Sequence, residues 1–204
     1  MNAARFIVLE GIDGAGTTTQ AHRLLQRLRR LDVPVHGTAE PSRGPVGRLL
    51  RSLLGGAAAP MDPAAMALLF AADRHDHLAR EILPQLAAGV HVICDRYVLS
   101  SLAYQTAQGA PRELVRAANA AVRRPDLTIL LAVPVEVAVQ RREGRPTVDL
   151  YENEPMQRAV DAAYRREAEE LRQAGEPVVV LDGGLPIGEV EARVWNEVQS
   201  CLGL

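Results

Sequence analysis

The sequence predicts an α/β fold in which helices cover both faces of a parallel sheet. Two observations predict it. Short apolar, β-branched stretches alternate along the chain with helical patterns, and a glycine-rich segment joins the first of these stretches to the first helix. The length of 204 residues, with 48% hydrophobic and 24% charged residues, is typical of one compact globular domain, so we expect a single domain over residues 1–204.

The expected strands and helices follow one another without a linker. Strands are predicted at residues 5–9, 33–35, 90–94, 127–133 and 178–181. Helices are predicted at residues 18–31, 63–69, 71–88, 112–123, 136–142, 155–173 and 187–201. In the long alanine-rich region we expect Pro84 to kink the helix or to start a new turn, and Gly89 to end it. Residues 55–60 (GGAAAP) are predicted to be a flexible connection.

Charge and hydropathy exclude several classes of partner. The formal net charge of -2 argues against a surface that coats nucleic acid, so the arginines are expected to act locally. No apolar run approaches the roughly 18 residues of a membrane span, and the N-terminus enters a strand directly, with no signal-peptide core. Cys94 and Cys201 form no metal-binding or disulfide pattern, so we expect a cytoplasmic protein with reduced thiols.

The glycine-rich segment at residues 11–18 reads GIDGAGTT and follows the phosphate-binding pattern G-x-x-x-x-G-K-[ST] at all positions but one. Gly11, Gly16 and Thr18 fit the pattern, but Thr17 stands where the pattern has its lysine. No lysine elsewhere can replace it, because all 23 Lys and Arg residues are arginine. Backbone N–H groups at a helix N-terminus attract phosphate without a side-chain cation, so the pattern still predicts nucleotide binding. The alternative is that the segment is only a turn.

Two polar side chains come at the end of the third predicted strand. Asp95 and Arg96 follow an apolar stretch, and the carboxyl ends of neighbouring parallel strands share one edge of a sheet. If this strand lies beside the first, Asp95 can hold Mg²⁺ or its water, and Arg96 can bind phosphate with two donors. The alternative is a helix-capping aspartate that is paired with its neighbouring arginine.

Four segments, in their order and spacing, resemble the thymidylate kinases, the enzymes that transfer the γ-phosphate of ATP to dTMP and produce dTDP. These segments are LEGIDGAG at residues 9–16, LLFAADR at 68–74, ILPQLAAGVHVICDRYVLSSLAYQ at 82–105 and RPDLTILLAVP at 124–134. The resemblance implies a P-loop NTPase fold, with a five-stranded parallel sheet flanked by helices and a mobile lid near residues 141–153. It also implies Mg²⁺ as cofactor, ATP and dTMP as substrates, and a homodimer.

The resemblance assigns residues to the acceptor nucleotide. Phe70 is expected to stack on the thymine ring and Arg74 to contact the base, while Arg96 and Arg43 are expected to hold the acceptor phosphate. The ring of Tyr104 is expected to crowd the 2′ position of the sugar and to favour deoxyribose. The expected substrate-binding set also includes Asp13, Ser101, Gln105 and Tyr151. Without the resemblance, Phe70 is a core aromatic and residues 101–105 form an exposed helix face.

The same resemblance assigns residues to ATP, to the metal ion and to the transfer step. The expected ATP-binding residues are Gly11, Asp13, Gly14, Ala15, Gly16, Thr17, Thr18, Thr19 and Arg141. Thr18 and Asp95 are expected to hold Mg²⁺. The expected catalytic residues are Asp95, Arg96, Arg142 and Arg145. Asp149, Tyr151 and Glu152 resemble the acidic part of the lid.

Arginines of the lid are expected to supply the charge that the missing lysine cannot. Arg141, Arg142 and Arg145 cluster just after a predicted helix, and an arginine that closes onto a transferring phosphate contributes about 10³ to 10⁵ in rate. The alternative is that these side chains are solvated at the negative end of that helix.

The function predicted from the sequence is therefore ATP-dependent phosphorylation of dTMP. Two alternatives stay open. One is a kinase for another nucleoside monophosphate, and the other is a nucleotide-binding relative that does not catalyse because Thr17 replaces lysine. The retention of Phe70, Asp95 and Arg96 favours an active enzyme, since a degenerate site should lose its acceptor residues as freely as its donor lysine.

Overall fold

The computed structural model describes residues 3–55, 61–142 and 154–204, and in these ranges a five-stranded, all-parallel sheet is flanked by helices. The strand order is β2-β3-β1-β4-β5. The strands are β1 (Phe6–Glu10), β2 (Val35–Ala39), β3 (His91–Asp95), β4 (Leu127–Ala132) and β5 (Val178–Asp182). The expected α/β fold with a five-stranded parallel sheet is confirmed.

Nine α-helices lie within the described ranges, and a π-helical segment, Leu78–Ile82, joins the third to the fourth. The helices are α1 (Thr17–Arg30), α2 (Pro45–Leu54), α3 (Pro63–His77), α4 (Leu83–Ala87), α5 (Val98–Ala107), α6 (Arg112–Ala118), α7 (Val135–Arg142), α8 (Glu154–Gln173) and α9 (Ile187–Leu202). Pro84 lies in the first turn of α4, and Gly89 after it has a φ of 78°, so the expected new turn and helix end are both present. None of these helices combines the length and hydropathy needed to cross a lipid bilayer.

The central strand β1 is buried on both of its faces. Ile7 and Leu9 pack into one apolar cluster, which includes side chains of α1, α8 and α9. Phe6 and Val8 pack into a second cluster with Ile82 of the π-helical segment. Successive side chains of a strand point to opposite faces, so a strand covered on both sides is apolar at every position. This burial explains why residues 6–9 of β1 read as an uninterrupted apolar run, which ends at Glu10.

Three boundaries differ from the sequence expectation. β2 starts at Val35, where its prediction ended, because it is an edge strand of intermediate exposure whose polar residues carry no clear apolar pattern. The predicted break between the helices at residues 63–69 and 71–88 is absent, because α3 continues through Phe70. α6 ends at Ala118 rather than at residue 123, because the chain turns at Asn119, whose side chain is drawn into the interior.

The sequence analysis did not predict α2. This helix starts with a proline after Gly44, which is a helix-start signal, and it continues through a run of leucines and arginines. Other expectations lie outside the described residues. They are residues 56–60 of the connection predicted at residues 55–60, the lid beyond residue 142, and Arg145, Asp149, Tyr151 and Glu152.

The sheet brings the glycine-rich loop of residues 11–18 and the pair Asp95 and Arg96 to one edge. β1 and β3 are neighbours, with Leu9 opposite Asp95 in the register. Because the strands are parallel, the loops that follow them leave the sheet on the same side. Residues 11–18, Asp95 and Arg96 are therefore adjacent, as the sequence analysis expected for neighbouring strands.

Candidate active site

The loop of residues 11–18 can adopt its shape only with glycine at particular positions. Gly14 and Gly16 have φ values of 92° and 93°, in the left-handed region that favours glycine. A Cβ at Gly14 would lie 2.3 Å from the carbonyl oxygen of Ala138 in α7. A Cβ at Gly11 would lie 3.0 Å from the carbonyl oxygen of Leu131 in β4. The loop is thus packed directly against the backbone of β4 and α7.

The end of this loop forms a helix N-terminus that can attract an anion without a side-chain cation. α1 starts at Thr17, and its first main-chain hydrogen bond runs from the Gln20 N–H to the carbonyl of Gly16, at 3.0 Å. The N–H groups of the residues between them have no partner within the helix, and the helix dipole adds positive potential there. Thr17 is only 5% exposed, and its Cγ2 packs beside Gly11. Position 17 therefore supports the loop and brings no charge to a phosphate.

Thr18 and Asp95 place two oxygen atoms together at the edge of the loop. The Thr18 hydroxyl donates to Oδ2 of Asp95 at 2.5 Å, which joins α1 to the end of β3. Oδ1 of Asp95 is buried and has no hydrogen-bond partner among the described residues. A hydroxyl and an unsatisfied carboxylate oxygen are hard donors that suit Mg²⁺, which usually binds one or two protein oxygens with water and phosphate. No group of three or more His, Cys, Asp or Glu side chains in the described chain is arranged to hold a metal ion.

Arg96 lies between the loop and a second cavity. Its φ of 73° is unusual for a residue other than glycine, and its N–H donates to the carbonyl of Leu9 at 2.9 Å. The guanidinium donates from Nη1 to the carbonyl of Gly11 at 2.8 Å and from Nη2 to Oδ1 of Asp13 at 2.6 Å. Nη1 also donates to the Tyr164 hydroxyl at 3.2 Å. A guanidinium has five N–H donors, so Nε–H and one N–H of Nη2 remain for a ligand.

The second cavity has the composition of a nucleoside pocket. Phe70 provides an aromatic face, and Tyr104 and Gln105 are almost fully buried along the wall formed by α5. The Tyr104 hydroxyl accepts a hydrogen bond from the Asp13 N–H at 3.0 Å, which ties this wall to the loop. The remaining polar residues that line the cavity are Asp13, Glu40, Arg74, Arg96 and Ser100. The structure thus brings together most of the residues predicted for the acceptor site.

Arg74 is buried and already engaged by the protein. Its side chain is 1% exposed, and Nε donates to Oε2 of Glu40 at 2.9 Å. Nη2 donates to the backbone carbonyl of residue 97 at 2.9 Å and to the Ser101 hydroxyl at 3.0 Å, and Nη1 donates to Asn119. One N–H of Nη1 is left for a base in the cavity. Ser101 is not among the described residues that line the cavity, and its hydroxyl contacts Arg74 instead, so its expected contact with the substrate stays a prediction.

Arg43 is exposed and lies beside a different cavity from Phe70. It lines a cavity with Thr18, Arg51 and Asp95, next to the oxygen pair described above. The expected contact of Arg43 with the acceptor phosphate therefore stays a prediction, because Arg43 lies on the side of Thr18 and Asp95 rather than on the side of Phe70.

A further cavity lies on the other side of the loop and suits the base of a nucleotide whose phosphates occupy the loop. Gly14, Ala15 and Gly16 form one wall, and Gly183 and Leu185 after β5 form another. Arg141 lines this cavity and donates to the carbonyl of Gly183 at 2.8 Å, so it links α7 to the segment after β5. Sequence reasoning found Arg141 but missed the Gly183 segment, whose only sequence signal is a pair of glycines at the end of a strand.

Arg142 is the last residue of α7 and is followed by the residues for which the lid is expected. It lies one helical turn after Ala138, the residue that packs on Gly14, and it is 8% exposed. Its Nε and Nη1 atoms are buried and have no hydrogen-bond partner among the described residues. Buried guanidinium nitrogens without partners are costly unless an acceptor joins them, and the expected contact of Arg142 with phosphate stays a prediction.

Comparisons with known proteins agree with this geometry. A family model described as "Thymidylate kinase" matches residues 9–194. A protein of Pyrobaculum calidifontis named "Probable thymidylate kinase" is 46% identical over 191 residues, which is 93% of each chain. This chain belongs to the thymidylate kinase family. Two further relatives are a "Probable thymidylate kinase" of Methanococcus vannielii, 35% identical over 95% of this chain and 93% of its own, and a "Thymidylate kinase" of Chromobacterium violaceum, 40% identical over 97% and 95%.

Membership of the thymidylate kinase family confirms the resemblance found in the sequence. The sequence analysis still missed residues that the structure places at the site, namely Glu40 and Tyr164, and left Glu10 without a role. Glu10 and Glu40 carry the same signal as Asp95, since each comes at or just after the carboxyl end of a strand. Tyr164 has no such signal, because it lies in the middle of α8.

Proposed function

We propose that this member of the thymidylate kinase family transfers the γ-phosphate of ATP to dTMP and produces dTDP. One observation carries the proposal. Arg96 hydrogen-bonds the loop at Gly11 and Asp13 and has two N–H donors left at the cavity that contains Phe70. A phosphate on those donors would lie next to a phosphate on the N-terminus of α1, which is the proximity that phosphoryl transfer requires.

The donor side of the site binds by backbone and guanidinium groups. The unpaired N–H groups at the start of α1 hold the phosphates, and the glycine conformations let the loop wrap around them. Arg141 is proposed to bind ATP from the cavity it shares with Gly183. Thr17 contributes its N–H and its packing against Gly11, but no charge.

The acceptor side positions dTMP. Phe70 is proposed to stack on the thymine ring, because aromatic rings pack favourably in an offset or edge-on geometry. The part of the cavity around the rest of the nucleoside is lined by Arg74, Tyr104 and Gln105, and Arg96 holds the monophosphate. No general base is needed, since the attacking atom is already an anionic phosphate oxygen.

Mg²⁺ is the proposed cofactor, with Thr18 and Asp95 as the residues that would hold it. When bound, Mg²⁺ neutralises charge on the terminal phosphates of ATP. Asp95 serves this role from the end of β3, where its buried Oδ1 atom has no protein partner within the described residues.

Lid arginines are proposed to replace the absent lysine. Arg142 lies at the end of α7, one helical turn after Ala138, which packs on Gly14 of the loop, and Arg145 belongs to the segment that follows outside the described residues. A charge-assisted contact contributes about 1.5 to 3 kcal/mol, so a single missing lysine corresponds to roughly one to two powers of ten in rate. One well-placed arginine is therefore sufficient compensation.

Membership of the thymidylate kinase family argues against the two alternatives, a kinase for another monophosphate and a non-catalytic relative. The experiment that tests the proposal is a coupled ADP-release assay with ATP and Mg²⁺ and, in turn, dTMP, dUMP, dCMP, dGMP and AMP. We expect dTMP to show the highest kcat/KM. A higher kcat/KM for another nucleotide would contradict the assignment of substrate, and no ADP release with any acceptor would contradict the assignment of an enzyme.

We also propose a homodimer in the cytoplasm, where both nucleotide substrates occur. α3 and the π-helical segment after it expose a stripe at Leu68, Ala72, His75 and Ala79, in which Leu68 is 47% exposed. Apart from His75, the stripe consists of small and apolar residues, and such an exposed stripe suits a second copy of the chain. Sedimentation velocity should report a dimer for the natural chain and a monomer for Leu68→Glu. The control Leu31→Glu, at a leucine 54% exposed, should stay dimeric, and a monomeric natural chain would exclude the dimer.

A further inference from the structure

Glu10 is a fully buried carboxylate directly in front of the phosphate-binding loop. It is 0% exposed, and Oε1 accepts from the backbone N–H groups of Tyr97 at 2.8 Å and Ser100 at 3.2 Å. Oε2 accepts from the Ser100 hydroxyl at 2.5 Å and from the Tyr164 hydroxyl at 3.1 Å. Burial raises the pKa of Glu10 above its ordinary value, while Ser100 and Arg96 favour its charged form. Every contact of Glu10 is thus with a donor.

The Tyr164 hydroxyl connects this carboxylate to Arg96. Tyr164 comes from α8 and is 1% exposed. Its oxygen accepts from Nη1 of Arg96 at 3.2 Å and lies 2.7 Å from the Ser100 hydroxyl. A phenol has one hydrogen and can accept at its oxygen, so accepting from Arg96 directs its own hydrogen towards Glu10 or Ser100. The result is a continuous chain from Arg96 through Tyr164 to Glu10.

Arg96 depends on this chain for its orientation. Its backbone has a left-handed φ of 73°, and its guanidinium is held by Gly11, Asp13 and Tyr164. Nη1 also donates to the Ser100 hydroxyl at 3.5 Å, and the guanidinium lies over the ring of Tyr104 at 5.2 Å from its centroid. Both hydroxyls that bind Glu10 thus also contact Arg96 from outside the loop of residues 11–18. Loss of the Tyr164 hydroxyl leaves only the longer hydrogen bond to Ser100 on that side, and the two remaining donors are less well directed.

We propose that Glu10, Ser100 and Tyr164 are positioning residues that orient Arg96 towards the acceptor phosphate. The proposal rests on the proposed function, because it requires Arg96 to bind that phosphate. The three residues come from β1, α5 and α8, so the docking of α8 onto α5 is part of what sets the orientation of Arg96.

A purely structural role for the same residues predicts a different result. A polar cluster that only joins β1 to α5 and α8 would alter the stability of the protein and would affect all ligands of the cavity alike. A positioning role affects the phosphate of dTMP and spares its nucleoside. The ratio of the dissociation constants of thymidine and dTMP isolates the phosphate contact, because the two ligands differ only in that group.

Calorimetric titrations of thymidine and of dTMP into the natural chain and into Tyr164→Phe test the proposal, below the unfolding temperature of both. Tyr164→Phe keeps the ring, which packs edge-on against Tyr104 at 5.9 Å between centroids. We expect the natural chain to bind dTMP more tightly than thymidine. In the variant, the ratio of the dissociation constants of thymidine and dTMP should fall about tenfold, with the affinity for thymidine unchanged. The kcat of the variant should fall by a similar factor. Arg96→Ala defines the preference that remains without the guanidinium.

Glu167→Gln is the matched control. Glu167 is another fully buried carboxylate of α8, and it pairs with Arg112 and Arg116 rather than with Arg96. This variant should lower the unfolding temperature and leave the preference for dTMP intact.

Glu10→Gln tests the same chain independently of Tyr164, should Tyr164→Phe not fold. We expect it to reduce the preference for dTMP as well. A preference that is unchanged in both variants, or reduced equally in Glu167→Gln, would overturn the positioning role while leaving the proposed function in place. A natural chain that binds thymidine as tightly as dTMP would instead remove Arg96 from the acceptor phosphate, and the positioning role would fall with it.

Discussion

The guanidinium of Arg74 and the carboxylate of Glu40 form an ion pair in the interior, with 2.7 Å between Nη2 and Oε2. The two side chains are 1% and 3% exposed. His77 adds a contact from Nδ1 to Oε1 of Glu40 at 3.2 Å. The pair links the end of β2 to α3, and through Arg74 it reaches the wall of the acceptor cavity.

Removal of the Glu40 charge should destabilise the protein strongly. Glu40→Gln leaves the Arg74 guanidinium buried without a counter-ion, and a change of this kind lowers the free energy of unfolding by about 3 to 5 kcal/mol. Urea unfolding measures it. Glu169→Gln is the control, since it breaks an ion pair with Arg172 that is open to solvent and should leave the free energy of unfolding nearly unchanged. Equal effects of the two variants would mean that the buried pair adds nothing to stability.

Glu40 also shows how far the sequence could predict the site. The rule that functional groups follow the carboxyl ends of parallel strands found Asp95 and Arg96, because β3 has a clear apolar pattern that ends at Asp95. The same rule applies to Glu40 after β2, but β2 is an edge strand whose polar residues gave no clear end, so the signal was lost. The rule could not find Tyr164, because its contact with Arg96 forms only when α8 packs on α5.

The sheet itself was predictable because, unlike β2, three of its strands have clear apolar patterns. β1, β3 and β4 are mostly buried on both faces, and such strands read as apolar runs that single-sequence patterns detect well. The glycine loop was predictable as well, since the left-handed φ at Gly14 and Gly16 requires this residue type. Helix α2 was not predicted, although its first residue is a proline, because no periodic apolar pattern was recognised across it.

Stability should fall in acid partly through Glu167. Burial acts to raise the pKa of Glu167, but hydrogen bonds from Arg112, Arg116 and Arg166 outweigh it and hold the pKa below its ordinary value of 4.5. A carboxylate whose pKa is lowered in the folded state stabilises the protein above the pKa of the unfolded chain, and this contribution is lost as the pH falls through the folded-state pKa.

We therefore expect the unfolding temperature of the natural chain to drop as the pH falls below 4.5, and to drop less steeply in Glu167→Gln. Thermal unfolding at a series of pH values between neutral and strongly acid measures both curves. Parallel curves for the two proteins would show that Glu167 does not contribute to the acid dependence.

Arg96→Ala should abolish phosphorylation of dTMP while leaving the binding of ATP measurable. The guanidinium is proposed to hold the acceptor phosphate, whereas the start of α1 and Arg141 are proposed to hold ATP. The coupled ADP-release assay measures the first effect, and titration with a non-hydrolysable ATP analogue measures the second. Arg158→Ala, at an exposed pair on α8, is the control and should retain full turnover. Turnover of Arg96→Ala equal to that of the control would remove Arg96 from the site.

Thr17→Lys should increase kcat by less than about tenfold, because Arg142 and Arg145 are proposed to supply the charge already. In the same assay, Arg142→Ala should lower kcat by about 10³-fold or more in the natural chain and by less in the Thr17→Lys background. A gain of about one to two powers of ten in Thr17→Lys, the whole contribution of a lysine, would show instead that the natural chain lacks compensation for its missing lysine.

The central claim is that backbone amides and arginines hold the triphosphate of a nucleotide in a chain that contains no lysine. Isothermal titration of the protein with a non-hydrolysable ATP analogue and Mg²⁺, in the presence of saturating dTMP, tests it most directly. We predict one binding site per chain, with an affinity that weakens when Arg142 is replaced by alanine. The absence of any binding heat over a range of temperatures would contradict the account.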